Sequence, residues 1–316
     1  MLPVLLKIVS ISLMAATGWA LKRSGRLSDV FTRELSVLLV NCIYPCLILS
    51  AILRNFTFAS LAENWILPAG VAGILVIGWG VGQIFVKRLG HLPDETRRSF
   101  SLLAMANNYS FLPIMIVAAL WGEKAVAQVS FASLGAELCI WTLGVRTICG
   151  GGRPECSFAR NLLTMPILAL AAAILILGTQ TFLSPDGPLM TSSVLSMLLQ
   201  TAHAMGQATI PIAAVICGAR LAMIREGSLF SPLMAGLCAL RLILIPAICV
   251  GIFHFLPIPR DVANVLTVIA IQPCAMAAVS LAEVYRIDAH LASVAVLDTH
   301  LLCLLTIPLW LYLLGF

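Results

Sequence analysis

The chain has 316 residues, 60% of them hydrophobic and only 10% charged, with a formal net charge of +5. Ordinary soluble domains carry about 25% charged residues, so this composition excludes a soluble globular protein and predicts a polytopic membrane protein. No basic stretch interleaved with aromatics is present, so nucleic acid is not an expected partner, and the positive balance bears on orientation in a bilayer.

The first apolar stretch, Leu2–Leu21, is long enough to span, holds Lys7 and runs into Lys22 and Arg23. That pattern reads as a helix end among headgroups, not as a cleavable signal peptide. A span needs about 20 apolar residues. On that ruler nine more follow: Leu35–Leu53, Trp65–Val86, Phe100–Leu120, Val126–Ile148, Leu162–Phe182, Val194–Leu221, Leu229–Phe255, Val262–Glu283 and Leu291–Leu314. The connections are short and polar, which predicts one membrane domain over residues 1–316. Eight of the ten cysteines lie inside these apolar stretches, and Cys149 and Cys156 flank the loop Gly150–Glu155. With no C-x-x-C spacing, the cysteines read as small hydrophobes, and neither metal nor cofactor is expected.

Charge asymmetry sets the expected topology. Lys22, Arg23, Arg26 and Arg33 occupy the first connection, and Lys87, Arg88, Arg97 and Arg98 the third. Arg146, Arg153 and Arg160 surround the fifth, Arg220 and Arg225 the seventh, and Arg286 the ninth, while the even connections offer only Arg54, Lys124 and Arg260. The positive-inside rule then places the odd connections in the cytoplasm and both termini outside. Five spans per half force the halves to insert with opposite polarity, which is the arrangement of inverted repeats, here 1–150 and 158–316.

The fourth apolar stretch is interrupted by Ala106-Asn107-Asn108-Tyr109-Ser110-Phe111-Leu112-Pro113. Two asparagines and a serine are poorly suited to lipid, and Pro113 cannot donate the hydrogen bond of an unbroken helix. In hydrocarbon such a break survives only where protein or water covers it. A second break, Ile271-Gln272-Pro273-Cys274, interrupts the ninth stretch at the corresponding place in the second half. Paired breaks of this kind point to the substrate site of a transporter. The halves also align elsewhere. Asn41-x-x-x-Pro45 matches Gln207-x-x-x-Pro211 at an offset of 166, and Leu120–Ala125 resembles Val284–Ala289 at an offset of 164, which sets Asn108 on Gln272.

With these residues in view, the chain resembles the auxin efflux carrier family, whose bacterial members are often labelled malonate or other organic-acid permeases. The resemblance rests on Gly18-Trp-Ala-Leu-Lys-Arg-Ser-Gly-Arg-Leu-Ser28, on Leu38-Leu-Val-Asn-Cys-Ile-Tyr-Pro45 and on Asn108-x-x-Phe111. It extends through Ile210-Pro211, Gly218-Ala-Arg-Leu-Ala222, Pro273, Tyr285-Arg-Ile-Asp288 and Asp298-Thr-His300 to Pro308. It implies an all-α membrane protein of ten helices in two inverted five-helix repeats, with helices four and nine unwound where they cross, the architecture of bile-acid sodium symporters. Helices 1, 2, 6 and 7 would form one sub-domain and helices 3–5 and 8–10 the other. Where the family commonly reads Asn-x-Gly-Phe-x-Gly-x-Pro, this chain has Ser110, Pro113 and Met115 at the two glycine positions and the proline position.

An interrupted helix offers N–H groups that attract anions and carbonyls that attract cations. The expected anion site is therefore Asn107, Asn108, Ser110, Pro113, Gln272 and Pro273, faced by Asn41 and Gln207 from the other sub-domain. Glu137, Arg241, Asp298 and His300 are charged or titratable groups within spans, and such groups are expected to face one another or a water-filled cavity. Arg241 is the expected partner of either carboxylate, and the group is either a static charge pair that locks one sub-domain together or the candidate for coupling to H+ or Na+. His203, one turn before Gln207, reads as a helix-packing residue, with a proton carrier as the alternative. The absence of H-E-x-x-H, D-D-x-x-D and G-x-S-x-G motifs argues against an enzyme, and Ser293, Asp298 and His300 lack a triad's arrangement. The expected function is secondary transport of a small mono- or dicarboxylate by alternating access in a bacterial inner membrane, with a homodimer compatible. The alternative is a sodium-coupled symporter of the bile-acid type; a channel has no need of paired breaks.

Overall fold

A computed structural model describes residues 2–88, 90, 92–149, 164–183, 193–223 and 231–316. Arg153, Cys156, Arg160 and Arg225, and the expected junction between the repeats, lie outside the described residues. Among the described residues all regular structure is helical apart from one isolated antiparallel bridge. In chain order the helices are α1 (Leu2–Arg23), α2 (Asp29–Asn55), the short α3 (Phe58–Glu63), α4 (Ile66–Arg88), α5 (Asp94–Met105), α6 (Phe111–Trp121) and α7 (Glu123–Cys149). Then follow α8 (Met165–Leu183), α9 (Ser193–Gln207), α10 (Thr209–Met223), α11 (Pro232–Phe255), α12 (Arg260–Ala270), α13 (Ala277–Val284) and α14 (Ala289–Leu313). Among the described residues six helical stretches are long and apolar enough to cross a membrane, α2, α7, α11 and α14 being four of them.

Prolines explain most of the irregularities. A proline ring collides with the carbonyl four residues back and supplies no N–H. Ahead of Pro45 and Pro246, α2 and α11 each widen into a π-type turn, at Leu39–Ile43 and Leu240–Leu244. The extra residue moves the obstructed carbonyl aside. In α11 that carbonyl, Leu242, accepts a hydrogen bond from Trp310 Nε1 at 2.9 Å. The fourth apolar stretch is broken at residues 106–110. Pro113 sits in the first turn of α6, where its missing N–H would have had no intrahelical partner, and its ring excludes a helical Tyr109. Pro273 lies inside the second break, between α12 and α13.

Burial is inverted relative to a soluble protein. Arg241, Asn107, Gln272 and Thr299 are fully buried, whereas Phe255, Leu305, Leu175 and Leu313 are strongly exposed. An apolar exterior around a polar centre is what lipid as solvent requires. Helices in such a medium associate through close packing rather than a hydrophobic drive. Gly18 and Gly218 show how tight that packing is. A Cβ on Gly18 would lie 2.0 Å from the Val215 carbonyl oxygen, and one on Gly218 would lie 1.7 Å from that of Ala15. α1 and α10 therefore touch backbone to backbone.

The helices pack in two groups. α1 lies along α10, and α2 packs on α8, α9 and α10. Separately, α4 packs on α5, α7, α11 and α12, while α14 packs on α5, α11 and α13. The groups meet where α2 touches α7 and where α1 and α10 touch α6.

Candidate transport site

The two breaks meet each other. Asn107 and Cys274 face one another as an antiparallel pair. The Asn108 N–H donates to the Pro273 carbonyl at 2.8 Å, and the Ala275 N–H donates to the Ala106 carbonyl, also at 2.8 Å. Each unwound segment thus supplies the backbone partners that the other lost. α14 supports the junction from behind, where Thr299 Oγ1 accepts the Cys274 N–H at 3.2 Å.

Pro273 leaves the Ile269 carbonyl without its usual i+4 donor, and Asn107 Nδ2 supplies one at 2.5 Å. Gln272 Nε2 donates back to the Val268 carbonyl at 2.6 Å. In both side chains the amide nitrogen caps a helix end, and the reverse flip would oppose two oxygens. The amide oxygens, Asn107 Oδ1 and Gln272 Oε1, are buried without a hydrogen-bond partner among the described residues. Asn108 Oδ1 lies 3.5 Å from the Leu112 N–H at the start of α6. Ser110 heads the same helix without a side-chain cap.

Arg241 corrects the expectation that it neutralises Glu137 or Asp298. Its Nε donates to the Gln272 carbonyl at 3.3 Å, Nη1 to Ala104 at 3.2 Å and Nη2 to Ala270 at 2.8 Å. α5 and α12 both end at the crossing, and their last carbonyls carry the negative ends of two helix dipoles. The guanidinium binds those ends instead of a carboxylate. Glu137 is satisfied independently: Tyr109 Oη donates to one oxygen and Trp141 Nε1 to the other, each at 2.9 Å. Asp298 is buried beside Cys238 with neither oxygen bonded among the described residues. His300 Nδ1 lies 2.7 Å from the Val296 carbonyl on its own helix. The four groups are therefore not assembled into one charge cluster.

Asn41 and Gln207, expected to face the site from the other helix group, make no hydrogen bond to the crossing among the described residues. Asn41 is exposed on the π turn of α2. Gln207 Nε2 lies 3.0 Å from His203 Nε2, and both line a small cavity of about 170 Å³ with Glu123. There Glu123 also meets Arg54 at 3.8 Å and His203 at 3.5 Å.

A larger cavity, of about 680 Å³, separates α2 and α10 on one side from α13 and α14 on the other. Arg33, Arg220 and His290 stand on its walls, and Met276, Val279 and Ser280 from the first turn of α13 bring it to the second break. Asp29 is paired with Lys22, and Glu283 lies beside Arg220. The N-terminus of α13 is thus the one that the cavity reaches. The N-terminus of α6 is covered instead: Phe111 packs against Leu39, Ile43, Ala213 and Ile216, and its ring lies 5.1 Å from that of Tyr44.

A profile described as membrane transport protein matches residues 3–157 and 166–311. This chain belongs to the auxin efflux carrier family. An uncharacterized transporter of Methanocaldococcus jannaschii is 23% identical over 306 residues, 96% of each chain. Another, from Methanothermobacter thermautotrophicus, is 22% identical over the same span, again 96% of each chain. The auxin efflux carrier reading makes this chain a multi-pass membrane transporter, with the crossing at its centre. Sequence reasoning overlooked the cavity residues Arg33, Arg220, His290 and Ser280, and the supporting residues Tyr44, Trp141 and Thr299. Trp141 carried a signal, because it stands one turn after a charged residue inside a span.

Proposed function

We propose that this carrier moves a small organic anion, a mono- or dicarboxylate, by alternating access at the crossing of the two broken helices. In this reading the chain crosses the membrane ten times in two oppositely inserted five-helix repeats, with both termini outside. One observation carries the proposal: the large cavity, lined by Arg33, Arg220 and His290 together with Asp29 and Glu283, reaches the N-terminal turn of α13, beside the antiparallel junction. A helix N-terminus presents N–H groups and the positive end of its dipole to an anion. Arg33 would draw the anion in, with Arg220 offset by Glu283, and Met276, Val279 and Val294 would cover its apolar part. The cavity opens on the side of the Lys22 and Arg286 connections, so this conformation faces the cytoplasm under the positive-inside rule. On the opposite side, Glu123 with Arg54 and His203 closes the seam between the two helix groups.

A thermal-shift screen of the purified carrier against small carboxylates tests the reading, repeated on Asn108→Ala and on Ser280→Trp, which fills the cavity's inner end. At least one carboxylate should stabilise the wild type, and Ser280→Trp should abolish the effect. A screen without any stabilising carboxylate, or a hit that Ser280→Trp leaves intact, would move the site elsewhere.

A further inference from the structure

Where the carbonyl ends of two half-helices converge on a transport site, oxygen ligands and negative dipole ends make a natural seat for a hard monovalent cation. At this crossing the seat holds a side chain of the protein itself. Arg241 is fully buried and gives each of its three nitrogens to a different carbonyl: Ala104 at the end of α5, Ala270 at the end of α12, and Gln272 in the break. Its ion-pair partner is no carboxylate among the described residues. A guanidinium keeps its charge at every physiological pH, so it cannot load and unload as a coupling ion does.

We propose that Arg241 is a tethered counter-cation standing where a coupling ion would bind, so that the carrier takes up no monovalent cation at the crossing during its cycle. The proposal rests on reading the crossing as the transport site, and it removes the sodium-symport alternative. Arg241 acts here as a positioning residue. Its charge holds the two carbonyl ends together and leaves the N-terminal side of the junction to the anion. The opposing feature is the pair of unpartnered amide oxygens, Asn107 Oδ1 and Gln272 Oε1, which are acceptors that sodium could use. A guanidinium close by disfavours a second cation there, because like charges at short range in a poorly screened interior repel strongly.

The test is radiosodium binding to purified wild-type carrier, alongside melting temperatures of wild type, Arg241→Gln and Arg241→Lys in sodium, potassium, choline and methylguanidinium chloride at equal ionic strength. The wild type should retain no more sodium than a protein-free control and should melt at the same temperature in all four salts. Arg241→Gln should melt lower and recover most of the loss in methylguanidinium or sodium, which a residue needed only for packing would not do. Arg241→Lys, which keeps the charge, should stay insensitive to sodium. Saturable sodium binding by the wild type overturns the proposal, as does a folded Arg241→Gln that responds to no cation. If Arg241→Gln does not fold, the wild-type binding and the Arg241→Lys melts still decide. None of these arms uses a carboxylate, so a failed anion screen and a failed cation test are told apart.

Discussion

Asn107→Ala removes the one side-chain donor that reaches the Ile269 carbonyl, at a position with no exposure to solvent. The Gln272 N–H approaches the same oxygen only at 3.4 Å, too long to substitute for it. Leaving a buried acceptor unpaired costs about 1–3 kcal/mol, and that is the expected loss of stability. The argument holds that the demand arises from Pro273, which has no N–H to give its i−4 carbonyl. Pro273→Ala would return that donor to the chain while keeping the carbonyl that accepts from Asn108. Asn107→Ala should therefore cost much less in a Pro273→Ala background, with a coupling of about 0.5–3 kcal/mol in a double-mutant cycle. Detergent-driven unfolding followed by tryptophan fluorescence measures all four corners. Equal losses with and without the proline would refute the pairing of these two residues.

Four other changes follow from the geometry. Glu137→Leu removes the acceptor of both Tyr109 Oη and Trp141 Nε1, so it should destabilise by about 1–3 kcal/mol, read in the same unfolding assay; a neutral result would mean the two hydrogen bonds are not held together. Gly218→Val forces a side chain onto the Ala15 carbonyl, and overpacking of this kind costs about 1–3 kcal/mol or more, so fluorescence-detected gel filtration should show loss of the monodisperse peak. Glu123→Gln should weaken the closed seam by no more than about 1 kcal/mol, since Glu123 itself is more than half exposed and its contacts to Arg54 and His203 are long; thiol labelling of Gln207→Cys in a background without native cysteines should accelerate modestly, and an unchanged rate would remove Glu123 from the closure. Burial pushes the Asp261 carboxyl up, but hydrogen bonds from Gln128 and the Val262 backbone, together with Lys124, outweigh it and hold it below the usual carboxylate range. A depressed folded value stabilises above the unfolded value of about 3.9 and fades as pH falls through the folded one, so Gln128→Leu should flatten the acid limb of a melting-temperature profile.

The breaks were legible because proline and adjacent amides are unsuited to an apolar helix, and both appear where the sequence places them. Their boundaries were less legible. Pro113 marks the first turn of the helix after the break, since what it obstructs is the Tyr109 carbonyl four residues back. The partners of Arg241 were illegible for a related reason. Sequence shows side chains, and a charged residue invites a search for an opposite charge, whereas the groups that bind Arg241 are main-chain carbonyls exposed only when two helices end at one place.

The bonding at the crossing constrains how such a carrier can work. Two backbone hydrogen bonds, the Asn107 cap and the three Arg241 contacts tie α5, α6, α12 and α13 into one piece. Separating the broken helices would leave several buried polar groups unpaired at once, each at about 1–3 kcal/mol. The boundary between the two helix groups has a different character. It consists of the apolar packing of α2 on α7, the Phe111 seat against α2 and α10, the Glu123 pairs and the large cavity, so what has to part there is chiefly apolar contact rather than buried hydrogen bonds. A change of access would thus run along that boundary, carrying the crossing intact. In the proposed alternating access, the half-helix sealed under Phe111 and the half-helix open to the cavity would be the two ends whose exposure the motion exchanges.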